Sequence, residues 1–169
     1  MSKKTVVISA YPCCGKTYAY EHYQNKYLML DSDSSRFSWK TEKVALPDMG
    51  DGCEWEEIKV RNPDFPKNYI DHIKENIGKV DIIFVSSHLQ VRQALEDAGI
   101  RYCTVYPKEN MLNEWIGRMY RRGNDENFIK FQIEHWDEFM HNIMFEPYGF
   151  GINRLGNNEY INIDFLYNW

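Results

Sequence analysis

The chain has 169 residues, 43% hydrophobic and 27% charged, which fits one domain around a single core and excludes a disordered chain. A formal net charge of −5 argues against a broad duplex-binding face and leaves room for a local basic pocket that takes a phosphorylated ligand. No apolar run is long enough to cross a bilayer, so a membrane partner is not expected.

The opening MSKKTVVISAYP reads as a first β-strand, over residues 4–9 with Val6, Val7 and Ile8, rather than as a signal peptide. A helix is expected over 17–25 and a second strand over 27–30, ending in Asp31. Residues 32–62, with Pro47, Gly50, Gly52 and Trp55, read as the longest irregular loop. Tyr69, Ile70, Ile73 and Ile77 at helical spacing predict a helix over 66–79, closed by Gly78. A buried strand follows over 80–85, then a helix over 90–98 capped by Gly99 and a strand over 102–106. The pattern continues with a helix over 112–122 ended by Gly123, one long amphipathic helix over 128–144 and a last short strand over 160–163. Strands alternating with helices predict an α/β fold with a parallel sheet and helices on both faces, its ligands at the C-terminal strand ends.

Cys13, Cys14, Cys53 and Cys103 form no C-x-x-C pair, which disfavours structural zinc and points to reduced thiols in a cytoplasmic protein. Cys13 and Cys14 are either small residues that fit a tight loop or thiols made reactive by a helix N-terminus; filler is the favoured reading.

Residues 10–17, AYPCCGKT, match G-x-x-x-x-G-K-[ST] with Ala10 in place of the first glycine. Backbone N–H groups of such a loop hold phosphate oxygens, so Ala10, Pro12, Cys13 and Cys14 are expected against the nucleotide. Gly15 allows close approach, Lys16 bridges the β- and γ-phosphates, and the Thr17 hydroxyl ligates Mg²⁺. Ala10 is compatible if its φ is negative. The strand before the loop and the helix after it supply the context the motif needs.

After the second strand, Asp33 and Arg36 form D-x-x-R. Asp33 is placed to take a proton from a hydroxyl acceptor or to help hold a metal, and Arg36 to grip a phosphate or carboxylate. The competing reading is a helix cap by Asp31, Ser32 or Asp33. The third core strand ends in Ser86, Ser87 and His88, where many nucleotide-binding proteins keep a Walker-B aspartate. Asp81 lies at the wrong end of that strand, which leaves Thr17 with Ser86 or Asp33 for the metal and argues against a motor-type ATPase. Ser87 and His88 are candidate substrate contacts, with a cap or turn role equally open for His88. Arg118 shares a helical face with Arg121 or Arg122, where guanidinium groups would neutralise a transferring phosphoryl group; a solvated basic face is the alternative.

These residues together resemble the P-loop kinase group, which includes nucleoside and nucleotide kinases, shikimate-type kinases and polynucleotide 5′-kinases. Residues 31–39 and 62–88 are also similar to small phage- and bacteria-encoded adenylate-kinase-like proteins. The resemblance implies one domain over 1–169, a five-stranded parallel sheet of the P-loop NTPase type, an acceptor flap at 37–62 and a lid at 108–126. It implies ATP and Mg²⁺ as cofactors, Lys16, Asp33, Arg118 and Arg122 as catalytic groups, and Arg118 and Arg121 against ATP. The acceptor would be a nucleoside or nucleoside monophosphate held by Asp33, Arg36, Trp39, Ser87 and His88. Trp39 and Trp55 are either base-stacking groups or anchors of the flap. The alternatives carried forward are a 5′-hydroxyl kinase acting on a nucleic-acid end and a nucleotide-binding regulator that transfers nothing.

Overall fold

The computed structural model describes residues 4–45, 55–146 and 151–168. Strand β1 (Val6–Ala10) lies at the centre of a five-stranded parallel sheet. On one side it pairs with β5 (Ile82–Ser86), which pairs in turn with β2 (Met29–Asp31). On the other side it pairs with β6 (Tyr102–Pro107), which pairs with β7 (Gly151–Leu155). Val7 sits opposite Ile83 and Tyr102, and Ile8 opposite Phe84 and Cys103, so like-facing side chains stack in rows.

The central strands are mostly apolar because both sheet faces are covered, with Ser9 and Thr104 as buried exceptions. Ile8, Ile82, Phe84 and Val105 pack beneath α1 (Lys16–Tyr23), α5 (Leu112–Arg122), α6 (Glu126–Glu134), α7 (Trp136–Met144) and α8 (Ile163–Tyr167). Val7, Ile83, Val85 and Tyr102 pack beneath α3 (Lys67–Asn76) and α4 (Leu89–Asp97). The α/β sheet with helices on both faces is therefore as expected.

Three expectations are corrected. Residues 32–62 are not one irregular loop: a short helix α2 (Ser35–Ser38) leads into an antiparallel hairpin of β3 (Trp39–Ala45) and β4 (Trp55–Arg61). Neither face of that hairpin is buried, so WKTEKVA carries no alternation that would mark a strand, and WEEIKVR alternates only over 57–61. Pro47, Gly50, Gly52 and Cys53 lie outside the described residues.

The helix expected over 128–144 divides at His135, whose φ of −110° and ψ of 10° leave the helical region. Ile129, Gln132, Trp136, Met140 and Ile143 are buried at unbroken helical spacing across the division, so periodicity could not reveal it. The fifth strand is Gly151–Leu155 and not 160–163. Ile161 and Ile163 alternate inward as a strand would, but Ile161 donates its N–H to the Cys14 carbonyl at 3.1 Å, and α8 follows.

From β1 the chain moves to β2 on one side of the sheet, and after β5 it crosses to β6 on the other. That reversal opens a crevice beyond the carboxyl ends of the strands, where Ala10 lies in register with Ser86, and Asp31 ends β2 opposite Phe84. Among the described residues no helix is long and apolar enough to cross a membrane.

Candidate functional site

The turn from β1 into α1 is bound tightly to the sheet. Ala10 is paired on both sides within it, an extended position that tolerates a methyl group. Tyr11 donates its N–H to the Val105 carbonyl at 2.9 Å, and Cys14 donates to Tyr11 at 3.3 Å. Cys13 and Gly15 both take left-handed backbone angles, with φ of 63° and 102°. At Gly15 a Cβ would also lie 2.8 Å from Tyr160 Cδ1, so glycine is required by torsion and by space. Helix α1 begins without a side-chain cap and without an acidic residue in its first turn. Its leading N–H groups are thus open to an anion.

Lys16 heads α1 and donates from Nζ to Asp31 Oδ1 at 2.9 Å. Two cavities meet at this lysine. The smaller, about 240 Å³, is lined by Cys13, Cys14, Gly15, Thr17, Arg118 and Arg121, together with Asp31 and Tyr160. The larger, about 680 Å³, is lined by Ala10, Pro12, Asp33, Trp39, Ser87 and His88, with Phe65, Phe128 and Phe139 on its aromatic side. Lys16, Tyr11 and Arg122 line both. Arg36 lines neither cavity, although its charge acts on Asp33.

The three arginines of α5 have different surroundings. Arg118 is only 6% exposed and is stacked between Trp115 and Tyr160, its guanidinium 4.1 and 4.5 Å from their ring centres. It donates to Glu114 at 3.0 Å, to the Glu159 carbonyl at 3.0 Å and to the Cys13 carbonyl at 3.3 Å. This side chain clamps the β1–α1 turn to the segment before α8. Trp115 is fully buried and donates its indole N–H to the Pro12 carbonyl at 2.9 Å. Residues 108–126 are therefore anchored in the core through α5, and no swing of α5 is free of that anchor. Arg121 is open to solvent, and Arg122 reaches toward the Cys13 thiol.

Beyond the end of β2, Asp33 Oδ1 accepts the Ser35 N–H at 2.9 Å. Burial works against its charge, but the Ser35 hydrogen bonds and the Lys16 and Arg36 charges hold its carboxyl below the ordinary carboxylate range. The capping role weighed for this stretch thus falls to Asp33 itself. Thr17 and Asp33, the two residues expected to share a metal, line different cavities. Asp31 is the carboxylate that lines the smaller cavity with Thr17. Asp81 is bonded far from either, accepting the Leu28 N–H at 2.8 Å. Among the described residues no group of three or more His, Cys, Asp or Glu side chains is placed to hold a metal.

His88 is exposed to solvent, yet partial desolvation of its ring and the Arg92 and Arg61 charges hold the imidazole below its ordinary range. The reactive-thiol reading of Cys13 and Cys14 fails, because burial pushes both thiols upward. For Cys13 the pull of Arg122 and Arg118 only offsets that in part.

Four residues of the site were missed by the sequence reading. Asp31 counted only as a capping candidate. Tyr69 donates its hydroxyl to the Ser32 carbonyl at 2.6 Å and accepts the Ser86 N–H at 3.2 Å, tying the ends of β2 and β5 together. Tyr160 packs on Gly15 and stacks on Tyr18 with ring centres 4.8 Å apart. Arg92, on the wall of the larger cavity, is 2% exposed and pairs with Glu146 at 2.6 Å. The aromatic periodicity of α3 marked Tyr69 as core, and no local signal distinguished the other three.

Comparisons with protein-family models, with curated proteins and with solved structures gave no match.

Proposed function

We propose that this protein is an ATP-dependent phosphotransferase of the P-loop kinase kind, moving the γ-phosphoryl group to a nucleoside or nucleotide acceptor. The observation that carries the proposal is the meeting of two cavities at Lys16 and Arg122. A donor in the smaller and an acceptor in the larger would present the transferring group to both cations. Phosphoryl transfer depends on such positioning and charge neutralisation more than on covalent chemistry by the protein.

In this reading the open N–H groups at the start of α1 and the turn before it hold the donor phosphates, with Gly15 admitting them closely. Lys16 exchanges Asp31 for phosphate oxygens. Thr17 and Asp31 present the hard oxygen ligands that Mg²⁺ prefers, and the ion when bound would neutralise charge on the donor phosphates. Trp39 and the aromatic side of the larger cavity offer flat surface to a base or sugar, while Asp33, Ser87 and His88 offer polar contacts. The free thiols of Cys13, Cys14 and Cys103 fit a reducing cytoplasm.

The test is Mg²⁺-dependent ADP formation from ATP across nucleosides, nucleoside monophosphates and 5′-hydroxyl oligonucleotides, with Lys16→Ala as control. Acceptor-dependent turnover lost in the variant supports the proposal and identifies the acceptor. Tight ATP binding with no turnover on any acceptor replaces it with the nucleotide-binding regulator.

A further inference from the structure

The start of α4 forms one wall of the larger cavity through Ser86, Ser87, His88, Leu89, Gln90 and Arg92. This nine-residue helix has no side-chain cap and no acidic residue in its first turn. The His88 carbonyl accepts the Val91 and Arg92 N–H groups, at 2.9 and 3.1 Å. Among the described residues nothing accepts from Leu89 or Gln90. A helix start left open on a cavity favours an anion.

Arg92 supplies the second, independent observation. Its Nε pairs with Glu146 and its Nη1 donates to the Ser87 carbonyl, but Nη2 is buried with no partner among the described residues. Leaving such a donor unpaired is unfavourable unless a ligand meets it. The buried Ser32 hydroxyl, on the same cavity, also has no partner among the described residues. Lys16, Arg61, Arg92 and Arg122 line this cavity against the carboxylates of Asp33 and Glu138, and Arg61 is held over the Trp39 ring at 4.4 Å. Glu146 balances Arg92, so the attraction comes from the helix start, the orphan N–H and the other cations.

We infer that the start of α4 with Arg92 Nη2 is a second anion subsite, and that it takes a phosphomonoester carried by the acceptor. The subsite stands on its own geometry; calling its ligand an acceptor rests on the phosphotransfer proposal. A phosphate oxygen of that ligand would form the new bond to the γ-phosphorus as the bond to the bridging oxygen breaks and ADP leaves. The phosphate dianion supplies the electron pair, so no hydroxyl proton has to be removed. Asp33, already accepting the Ser35 N–H, is then free of any duty as base.

The full chain, with the donor cavity filled by Mg²⁺ and a non-hydrolysable ATP analogue, is titrated calorimetrically with inorganic phosphate, ribose 5-phosphate, and common nucleosides with and without a 5′-phosphate. Monophosphates are expected to bind at least about ten-fold tighter than their nucleosides, and to shift the Leu89 and Gln90 amide resonances. Binding of ribose 5-phosphate as tight as that of the nucleotides assigns recognition to the phosphomonoester alone. Gln90→Glu, placing a carboxylate at the open helix start, lowers monophosphate affinity about ten-fold and leaves nucleoside and ATP-analogue affinity unchanged. Arg92→Met alone strands Glu146, so the paired variant Arg92→Met with Glu146→Met removes both charges and is expected to show the same loss with a cooperative melt. Equal binding of nucleoside and monophosphate, or indifference to Gln90→Glu and to the paired variant, overturns the subsite. Monophosphate selectivity in a protein that forms no ADP upholds the subsite and removes the phosphotransfer proposal. Turnover on nucleosides but not on monophosphates does the reverse.

Discussion

Lys16 Nζ and Asp31 Oδ1 stand 2.9 Å apart, linking the start of α1 to the end of β2 across the smaller cavity. Both side chains keep partial access to solvent, at 28% and 42%, so the pair contributes little to stability and is free to exchange partners. Asp31→Asn is expected to leave unfolding free energy within about 1 kcal/mol of wild type. Turnover in the acceptor panel should fall by about two orders of magnitude, through loss of a carboxylate ligand from the Mg²⁺ site proposed beside Thr17. Denaturant titration and steady-state kinetics on one preparation check both halves.

Gly15→Ala combines a φ of 102° with a 2.8 Å approach to Tyr160. We expect destabilisation of about 1–3 kcal/mol and loss of ATP binding, because the β1–α1 turn must shift. Adding Tyr160→Ala removes the contact and leaves the torsion. Recovery in the double variant should therefore be partial, and full recovery of the melting temperature would assign the whole effect to the contact.

Arg118 and Arg121 lie one turn apart and predict opposite phenotypes. Arg118→Met strips donors from the Cys13 and Glu159 carbonyls and from Glu114, which should cost about 1–3 kcal/mol of stability. Arg121→Ala should stay within about 0.5 kcal/mol, since its side chain is 68% exposed and 3.9 Å from Glu114. Thermal melts of the two variants give the comparison.

His88 is held neutral to lower pH than a free imidazole, by partial desolvation and then by the charges of Arg92 and Arg61. Its folded-state pKa lies below the ordinary 6.5, so the unfolded chain binds the proton more readily. Its contribution to stability is present above that value and is lost as pH falls toward the folded-state pKa. An NMR titration should place the His88 ring midpoint below 6.5 in the ligand-free protein. A phosphomonoester bound at the start of α4 should move that midpoint upward.

The β1–α1 turn was legible in the sequence because its determinants are contiguous: an apolar strand, Gly15, Lys16, and a helix with nothing acidic in its first turn. The alternation of β5 and β6 with the helices around them was legible for the same reason, since periods of two and 3.6 are local properties of the chain. The hairpin of β3 and β4 was not, because both its faces lie in solvent, β3 carries no hydrophobic pattern and β4 alternates only over 57–61. The division at His135 was not, because helical spacing of buried residues continues straight across it.

By itself the sequence determined that residues 10–17 carry the chain from a strand through a turn into a helix, and that a parallel sheet would hold them. Only the tertiary structure decided which charges meet there. It put Asp31 rather than Asp33 on Lys16, and it buried Arg118 as a clamp between Trp115 and Tyr160. It also aligned Arg92 with Glu146 from a distant helix end, leaving one donor without a partner among the described residues. The reason is physical. Propensity and periodicity act over a few residues, whereas a charge is assigned its role by whatever the sheet order and the crossovers bring within about 4 Å of it.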